Sequence, residues 1–252
     1  MKKIFIVSVL SILFFNTLQA QHKNKRPVDN FLEFTGGIGS SQGSGALACV
    51  YNWKYGKHKR LELGLGAKFT SYFGNNLYFR TAPAKLTSGK TDPTVLFSKD
   101  IDQNIDSVLF PKAQTSFLNL TLNLGYNLSK KFYVGFTIDA IGFSFGKKRH
   151  GIYYGNNFAT GVPVTAKPTP FNILLISDND RGALNSELFV RYKWNDSWGV
   201  KLGLQFLFAE YTTDTEVQTT PGGDKNDRFR KKMPGLGIGV TCNLSNFKKR
   251  KS

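Results

Sequence analysis

The chain has 252 residues, among them 22 Phe, 25 Gly, 10 Tyr and only two Cys, with a formal net charge of +17. That length fits one domain or at most two. Two isolated cysteines, Cys49 and Cys242, with no histidine beside them, argue against a disulfide framework and a cysteine-ligated metal.

The first twenty residues read as a secretory signal peptide. Lys2 and Lys3 make a short basic start, residues 4–15 an apolar run, and residues 16–20 a polar stretch ending on the small Ala20. The run falls short of the roughly 20 apolar residues that a transmembrane helix needs. Cleavage after Ala20 removes Lys2 and Lys3, leaving a charge of +15, and no lipid-accepting Cys follows the site. No later segment is apolar enough for a membrane helix, so the mature chain is expected to cross the inner membrane whole. On an exported chain, excess basic charge points to anionic lipid headgroups or lipopolysaccharide phosphates before nucleic acid.

Residues 21–30 form a basic, polar leader expected in the periplasm. Eight segments of period-two alternation follow, which is the signature of strands. The first, over 31–40, puts Leu32, Phe34 and Ile38 on one face. The second, over 44–54, sets Leu47, Cys49, Tyr51 and Trp53 against Ala46, Ala48, Val50 and Asn52. The third, over 60–73, sets Leu61, Leu63, Leu65, Ala67 and Phe69 against Glu62, Gly64, Gly66, Lys68 and Thr70. The fourth, over 114–128, alternates Leu118, Leu120, Leu122, Leu124 and Tyr126 with Asn119, Thr121, Asn123 and Gly125. In the fifth, over 131–146, the apolar parity switches after Ala140, which a β-bulge near Asp139 and Ala140 explains. The sixth covers 183–194, the seventh 197–211 and the eighth 232–244, each with the same alternation.

The connections follow a second pattern. Those after the second, fourth and sixth strands are short (55–59, 129–130, 195–196), while those after the third, fifth and seventh are long (74–113, 147–182, 212–231). Outer-membrane barrels are built in this way, with short periplasmic turns and long outer loops. The aromatics fit the same axis. Tyr51, Trp53, Tyr126, Tyr192, Trp194 and Trp198 gather at the short-turn end as a candidate periplasmic belt. Phe69, Phe73, Phe143, Phe206 and Phe208 lie near the long-loop end.

The expected fold is all-β, an eight-stranded antiparallel up-and-down transmembrane β-barrel over 31–247, with a basic C-terminal tail over 248–252. A soluble, lipocalin-type barrel also alternates, but with its apolar face inward. Three features favour lipid outside. The polar face is rich in Gly, Asn and Thr and poor in Lys and Glu; an eight-stranded lumen has little room for stacked Leu, Phe and Trp; and the aromatics cluster at strand ends.

The whole mature chain resembles the small outer-membrane β-barrel proteins of Bacteroidota, including the PorT-like group, and more distantly the OmpA and OmpX barrels. The resemblance rests on a signal peptide ending Leu18-Gln19-Ala20 before Gln21, on the eight strands, and on inward glycines as in Gly199-Val200-Lys201-Leu202-Gly203. It implies an outer-membrane location but no particular activity. A role in protein secretion, known for some PorT-like relatives, is carried by no motif here. Phe247 stands where a terminal aromatic serves the insertion machinery of such proteins, with Lys248 to Lys251 beyond it.

Several residues invite chemistry. Glu62, Lys68, Asp139, Glu187, Arg191 and Lys201 fall on the inward face, and in a low-dielectric lumen they are expected to pair as one charge network that plugs the barrel. The alternative is a narrow ion or proton path. Lys147, Lys148 and Arg149 cluster above the fifth strand, at the height of lipopolysaccharide phosphates. His22, His58 and His150 are the only histidines and fall on different ends of the barrel. His150 near Ser144 suggests a lipid-modifying hydrolase, but no third group completes a nucleophile, base and orienter. The glycine runs at 35–39 and 235–239 precede no helix and lack the Lys of a P-loop, so they are not nucleotide loops. No catalytic, cofactor or metal site is expected.

The leading functional expectation is a non-enzymatic structural or interaction protein acting through its outer loops or periplasmic rim. Its partners would be outer-membrane lipid, lipopolysaccharide and other envelope proteins. An accessory subunit of an export or uptake assembly is the second reading, and a lipid A-modifying enzyme the third.

Overall fold

The computed structural model describes residues 28–90, 98–155, 160–175 and 179–245. The expected signal peptide, most of the leader, Phe247 and the basic tail lie outside the described residues. No helix among the described residues is long and apolar enough to cross a membrane.

The alternating segments become long strands. In chain order these are β1 (Val28–Gly39), β2 (Gln42–Tyr55), β3 (Leu61–Thr81), β4 (Ser107–Asn127) and β5 (Phe132–Phe145). Three short strands follow: β6 (Arg149–Tyr154), β7 (Val162–Pro168) and β8 (Phe171–Ile173). Then come β9 (Leu184–Lys193), β10 (Trp198–Thr213), the small pair β11 (Gln218–Thr219) and β12 (Lys225–Asn226), and β13 (Arg228–Asn243). One helical turn, α1 (Ala84–Thr87), lies in the connection after β3.

The eight expected strands are β1–β5, β9, β10 and β13, and they close on themselves. The antiparallel ladder can be followed from Val28 through Trp53, Leu63, Leu124, Phe136, Leu188, Leu204 and Leu236, and it returns to β1 at Ile38. The circuit therefore closes ten residues further along the first strand. Such a stagger in eight strands tilts them by roughly 35–45° and leaves a lumen that side chains fill. At such close quarters, inward glycines are a packing requirement. A Cβ on Gly125 would sit 1.8 Å from the Tyr133 hydroxyl, and one on Gly37 1.7 Å from Gln205 Oε1.

The bulge expected near Ala140 is present. Ile141 pairs with Leu120 and Asp139 with Thr121, so Ala140 is the extra residue. Inward parity passes from Thr137 and Asp139 to Gly142 and Ser144 across it.

At the long-loop end the expected boundaries are wrong. β3 runs to Thr81 instead of ending at 73, and β4 starts at Ser107 instead of 114. The two strands stay in register, with Leu77 opposite Phe110 and Phe79 opposite Val108. Both change phase at one place. Inward residues are Thr70 and Tyr72 below it, and Leu77 and Phe79 above it. Asn76 takes the left-handed conformation there (φ 51°), and on the partner strand Pro111 offers no N–H. A period-two reading stops at such a slip although the ladder continues.

These extensions build a second, narrower ring. The β1–β2 hairpin turns back at Gly39 and Gln42, and above it β13 pairs directly with β3. β6 joins β4, β7 joins β6, and β7 also joins β10. The order β13–β3–β4–β6–β7–β10 then returns to β13, a closed ring of six strands. Its interior is mainly apolar, containing Tyr72, Leu77, Phe79, Val108, Phe110, Phe117, Tyr153, Leu207, Tyr211, Phe229 and Met233, with the Asp106 carboxylate beside Tyr153. Phe79, Phe110 and Tyr211 meet pairwise at centroid distances of 5.2, 5.3 and 4.9 Å. Much of the sequence expected as open outer loop is thus a rigid, cored extension of the barrel.

Candidate functional site

The lumen of the eight-stranded part holds a network whose charged members come from five strands, β1, β3, β5, β9 and β10. Each inward position follows from strand parity, so the sequence itself aims the charged residues at one another. Lys201 on β10 stands at the centre, with Nζ 3.0 Å from Glu33 Oε2 and 2.6 Å from Glu187 Oε2. Lys68 on β3 lies 2.7 Å from Asp139 Oδ1 and 3.9 Å from Glu187 Oε1, and it also donates to the Asn185 carbonyl. Arg191 on β9 pairs with Glu33 Oε1. Its Nε and Nη1 have no hydrogen-bond acceptor among the described residues. Instead the guanidinium lies 4.1 Å from the Phe31 ring centroid and 4.7 Å from that of Tyr133.

Neutral side chains complete the network. Asn119 donates to Asp139 (2.7 Å), as does the Asn185 backbone N–H (2.9 Å). Gln205 donates to Glu187 (3.3 Å) and accepts from Ser44 (3.1 Å). Glu33, Lys68, Asp139, Glu187, Arg191 and Lys201 are each at most 4 % exposed. Three cations therefore face three carboxylates in a buried interior, and such a set holds together only if every charge is compensated. The network lies between the amide-rich floor at the short-turn end and the six-stranded core.

Glu62 differs from the expectation. It lies in the floor, forms no ion pair with the three cations among the described residues, and accepts from Asn52 (3.1 Å) and Asn127 (2.7 Å). Lys193 donates to the same Asn127 (2.9 Å). Glu33 takes the place in the network that Glu62 was expected to have. Both are inward acids, and only the stagger between strands decides which one reaches Arg191.

The expected basic cluster is not a free trio. Lys148 is engaged by Asp214 (2.8 Å), and Arg149 donates from Nη2 to Gln114 (2.9 Å). His150 Nδ1 meets the Thr165 hydroxyl (3.1 Å), whereas Ser144 donates to Asn172 (2.7 Å). The two residues that suggested a hydrolase thus have separate partners. Cys49 and Cys242 are free and flank Leu32 on opposite sides, one on β2 and one on β13.

The six aromatics expected as a belt lie on the outer face at the short-turn end. Tyr51, Tyr126, Tyr192, Trp194 and Trp198 are exposed, and Trp53 packs edge-on against Tyr51 at 5.0 Å. At the other end, Phe69 stacks on Phe145 (6.2 Å) and Phe143 meets Phe171 (6.0 Å). Between the two aromatic rows the large exposed side chains are mainly Leu, Val and Ile, with Cys49 and Ala67 beside them.

A further cluster lies outside the six-stranded ring. Glu210 on β10 is fully buried and accepts from Arg228 Nε (2.8 Å) and Arg230 Nη2 (2.9 Å). Both arginines also donate to the Asp180 carbonyl, which ties the segment before β9 to the wall. Sequence reading missed this cluster because the long connection hid the pairing of Glu210 with Arg230.

The fold and its filled interior define an eight-stranded up-and-down β-barrel with a plugged lumen and a cored outer extension. No family model matches the chain, and no curated protein matches it by sequence. Among solved structures, it is similar to Neisserial surface protein A (TM-score 0.33, 7 % identity, covering 86 % of this chain and 96 % of that one). It is also similar to Ail, the attachment invasion locus protein of Yersinia pestis (0.34, 4 %, 87 % and 99 %). A third is a major outer membrane protein from Thermus thermophilus (0.37, 13 %, 86 % and 99 %).

Proposed function

We propose that the chain is a Gram-negative outer-membrane β-barrel that acts as a sealed anchor, presenting its six-stranded extension outside the cell. The observation that carries this reading is the inverted partition of side chains. Leu120, Leu202 and Ile238 are 60, 62 and 61 % exposed on the outer wall, while the lumenal acids and cations are buried. Water would make that outer wall costly, whereas hydrocarbon makes it favourable. Because the ladder closes, the eight strands pair their backbone N–H and C=O groups with one another around the barrel, as a bilayer requires. The aromatic rows at both ends match the two interfaces. Export by residues 1–20 is part of the same reading.

The plug argues for interaction over transport. An ion entering the lumen would have to break the Glu33–Arg191, Glu33–Lys201 and Glu187–Lys201 pairs and then cross an apolar core. Catalysis is not part of the proposal. The test combines two measurements on the full chain. The outer-membrane fraction is run on a mild gel with and without boiling, and the purified protein is placed in a planar bilayer. A monomer-sized species that shifts on boiling and gives no steady conductance is expected. Recovery in the soluble periplasm with no shift would overturn the membrane reading, and steady conductance would overturn the seal.

A further inference from the structure

Just above the Phe69–Phe145 stack, the outer wall carries a groove of about 360 Å³ lined by Gln114, Ser116, Phe145, Gly146, Lys147 and Arg149. β4 supplies Gln114 and Ser116, the end of β5 supplies Phe145, and the start of β6 supplies Arg149. Its chemistry is one-sided. Two cations and a hydroxyl line it, no carboxylate among the described residues does, and the nearby acid Asp214 is taken by Lys148.

Arg149 is held in place and left incomplete. Its Nη2 donates to Gln114 Oε1 at 2.9 Å, which fixes the plane of the guanidinium. Its Nε is buried and has no acceptor among the described residues. A buried charged donor without a partner is costly, so an acceptor is expected there. The Ser116 hydroxyl lies 3.2 Å from that of Ser71, and either of them has a proton to donate. A fixed guanidinium, an ammonium and a hydroxyl converging on one groove suit a ligand with several anionic oxygens at tetrahedral spacing. Beneath the groove the wall is apolar, with Phe69, Leu118, Phe143 and Phe145 exposed.

We infer that this groove binds the phosphate of a membrane lipid whose acyl chains run down the adjoining apolar wall. The inference rests on the membrane reading above. A phosphorylated glycolipid and a glycerophospholipid share this chemistry.

The test is native mass spectrometry of the full chain released from detergent. The probes are bisphosphorylated lipid A, the same lipid without its phosphates, and phosphatidylglycerol. The wild type is compared with the double variant Lys147→Gln/Arg149→Gln and with Arg149→Lys, and a boiling shift is checked on each sample. Retention of phosphate-bearing lipid is expected to fall by at least about tenfold in the double variant, which removes both charge-assisted contacts. Arg149→Lys should fall between the two, since it keeps the charge and loses the planar fork. The preferred phosphate-bearing probe identifies the source. Equal retention by the wild type and a heat-modifiable double variant would overturn the inference, as would equal retention of the dephosphorylated lipid. A chain that needs no detergent and shows no boiling shift would instead remove the membrane reading itself.

Discussion

Glu33 on β1 and Arg191 on β9 form an ion pair across the lumen, with the guanidinium packed against the rings of Phe31 and Tyr133. Glu33 also holds Lys201, so one carboxylate compensates two buried cations. Removing a partner from such a pair costs about 3–5 kcal/mol, because the charge left behind remains buried. Glu33→Ala is expected to lower stability by about that amount in urea unfolding from micelles. Arg191→Met made in the Glu33→Ala background should cost much less than it does alone, as residues in one network are not additive. Additive losses in that cycle would show that the pair is not coupled.

The difference between Glu33 and Glu62 marks how far the sequence could be read. Strand parity places both acids inward, Glu33 opposite the Leu32 and Phe34 face and Glu62 opposite the Leu61 and Leu63 face. Which acid reaches which cation depends on the stagger around the barrel, and alternation within single strands contains no such information. The Ala140 bulge was legible for the same reason that the parity was, since it reverses the apolar face within one strand. The outer ring was not. At Asn76 and Pro111 two strands slip phase together, so alternation ends in each although pairing does not. Phe79 and Phe110 then look like scattered loop aromatics and Tyr211 like the last residue of its strand, and only the closure of β6 and β7 between β4 and β10 gives them a shared interior.

Leu122 and Thr121 are neighbours on β4 that face opposite environments. Leu122 is 49 % exposed on the outer wall and Thr121 is 1 % exposed in the lumen. Leu122→Arg should destabilise by about 2–4 kcal/mol in lipid, the depth-dependent cost of a charge on the membrane face. In a detergent with short chains that cost should shrink. Thr121→Arg should be damaging in both media, since its defect is overcrowding next to the Lys68–Asp139 pair. Equal sensitivity of the two variants to the medium would contradict the assignment of faces.

Glu210 holds two arginines, and through them the Asp180 carbonyl, against the outer ring. Glu210→Gln keeps the shape and removes the negative charge that Arg228 and Arg230 share. The loss expected is again about 3–5 kcal/mol for a fully buried partner, but it should be local. Limited proteolysis should cut first in the segment around Asp180, before the eight-stranded part opens. Unchanged cleavage there would mean that the cluster does not restrain the segment.

Tyr153 on β6 donates from its hydroxyl to Asp106 at 2.5 Å inside the outer ring. Burial first, and then the hydrogen bond to Asp106 and the charge of that carboxylate, raise the phenol above its ordinary value of 10.0. The folded chain therefore holds this proton more tightly than the unfolded chain does. The stabilisation is fully present below about pH 10 and is lost as the pH rises beyond it, because the unfolded phenol ionises first. The midpoint temperature of the boiling shift should thus fall from about pH 10 upward in the wild type. Tyr153→Phe should start lower, having removed this donor from Asp106, and its decline over the same range should be shallower. Parallel declines in the two proteins would assign the alkaline loss to other groups.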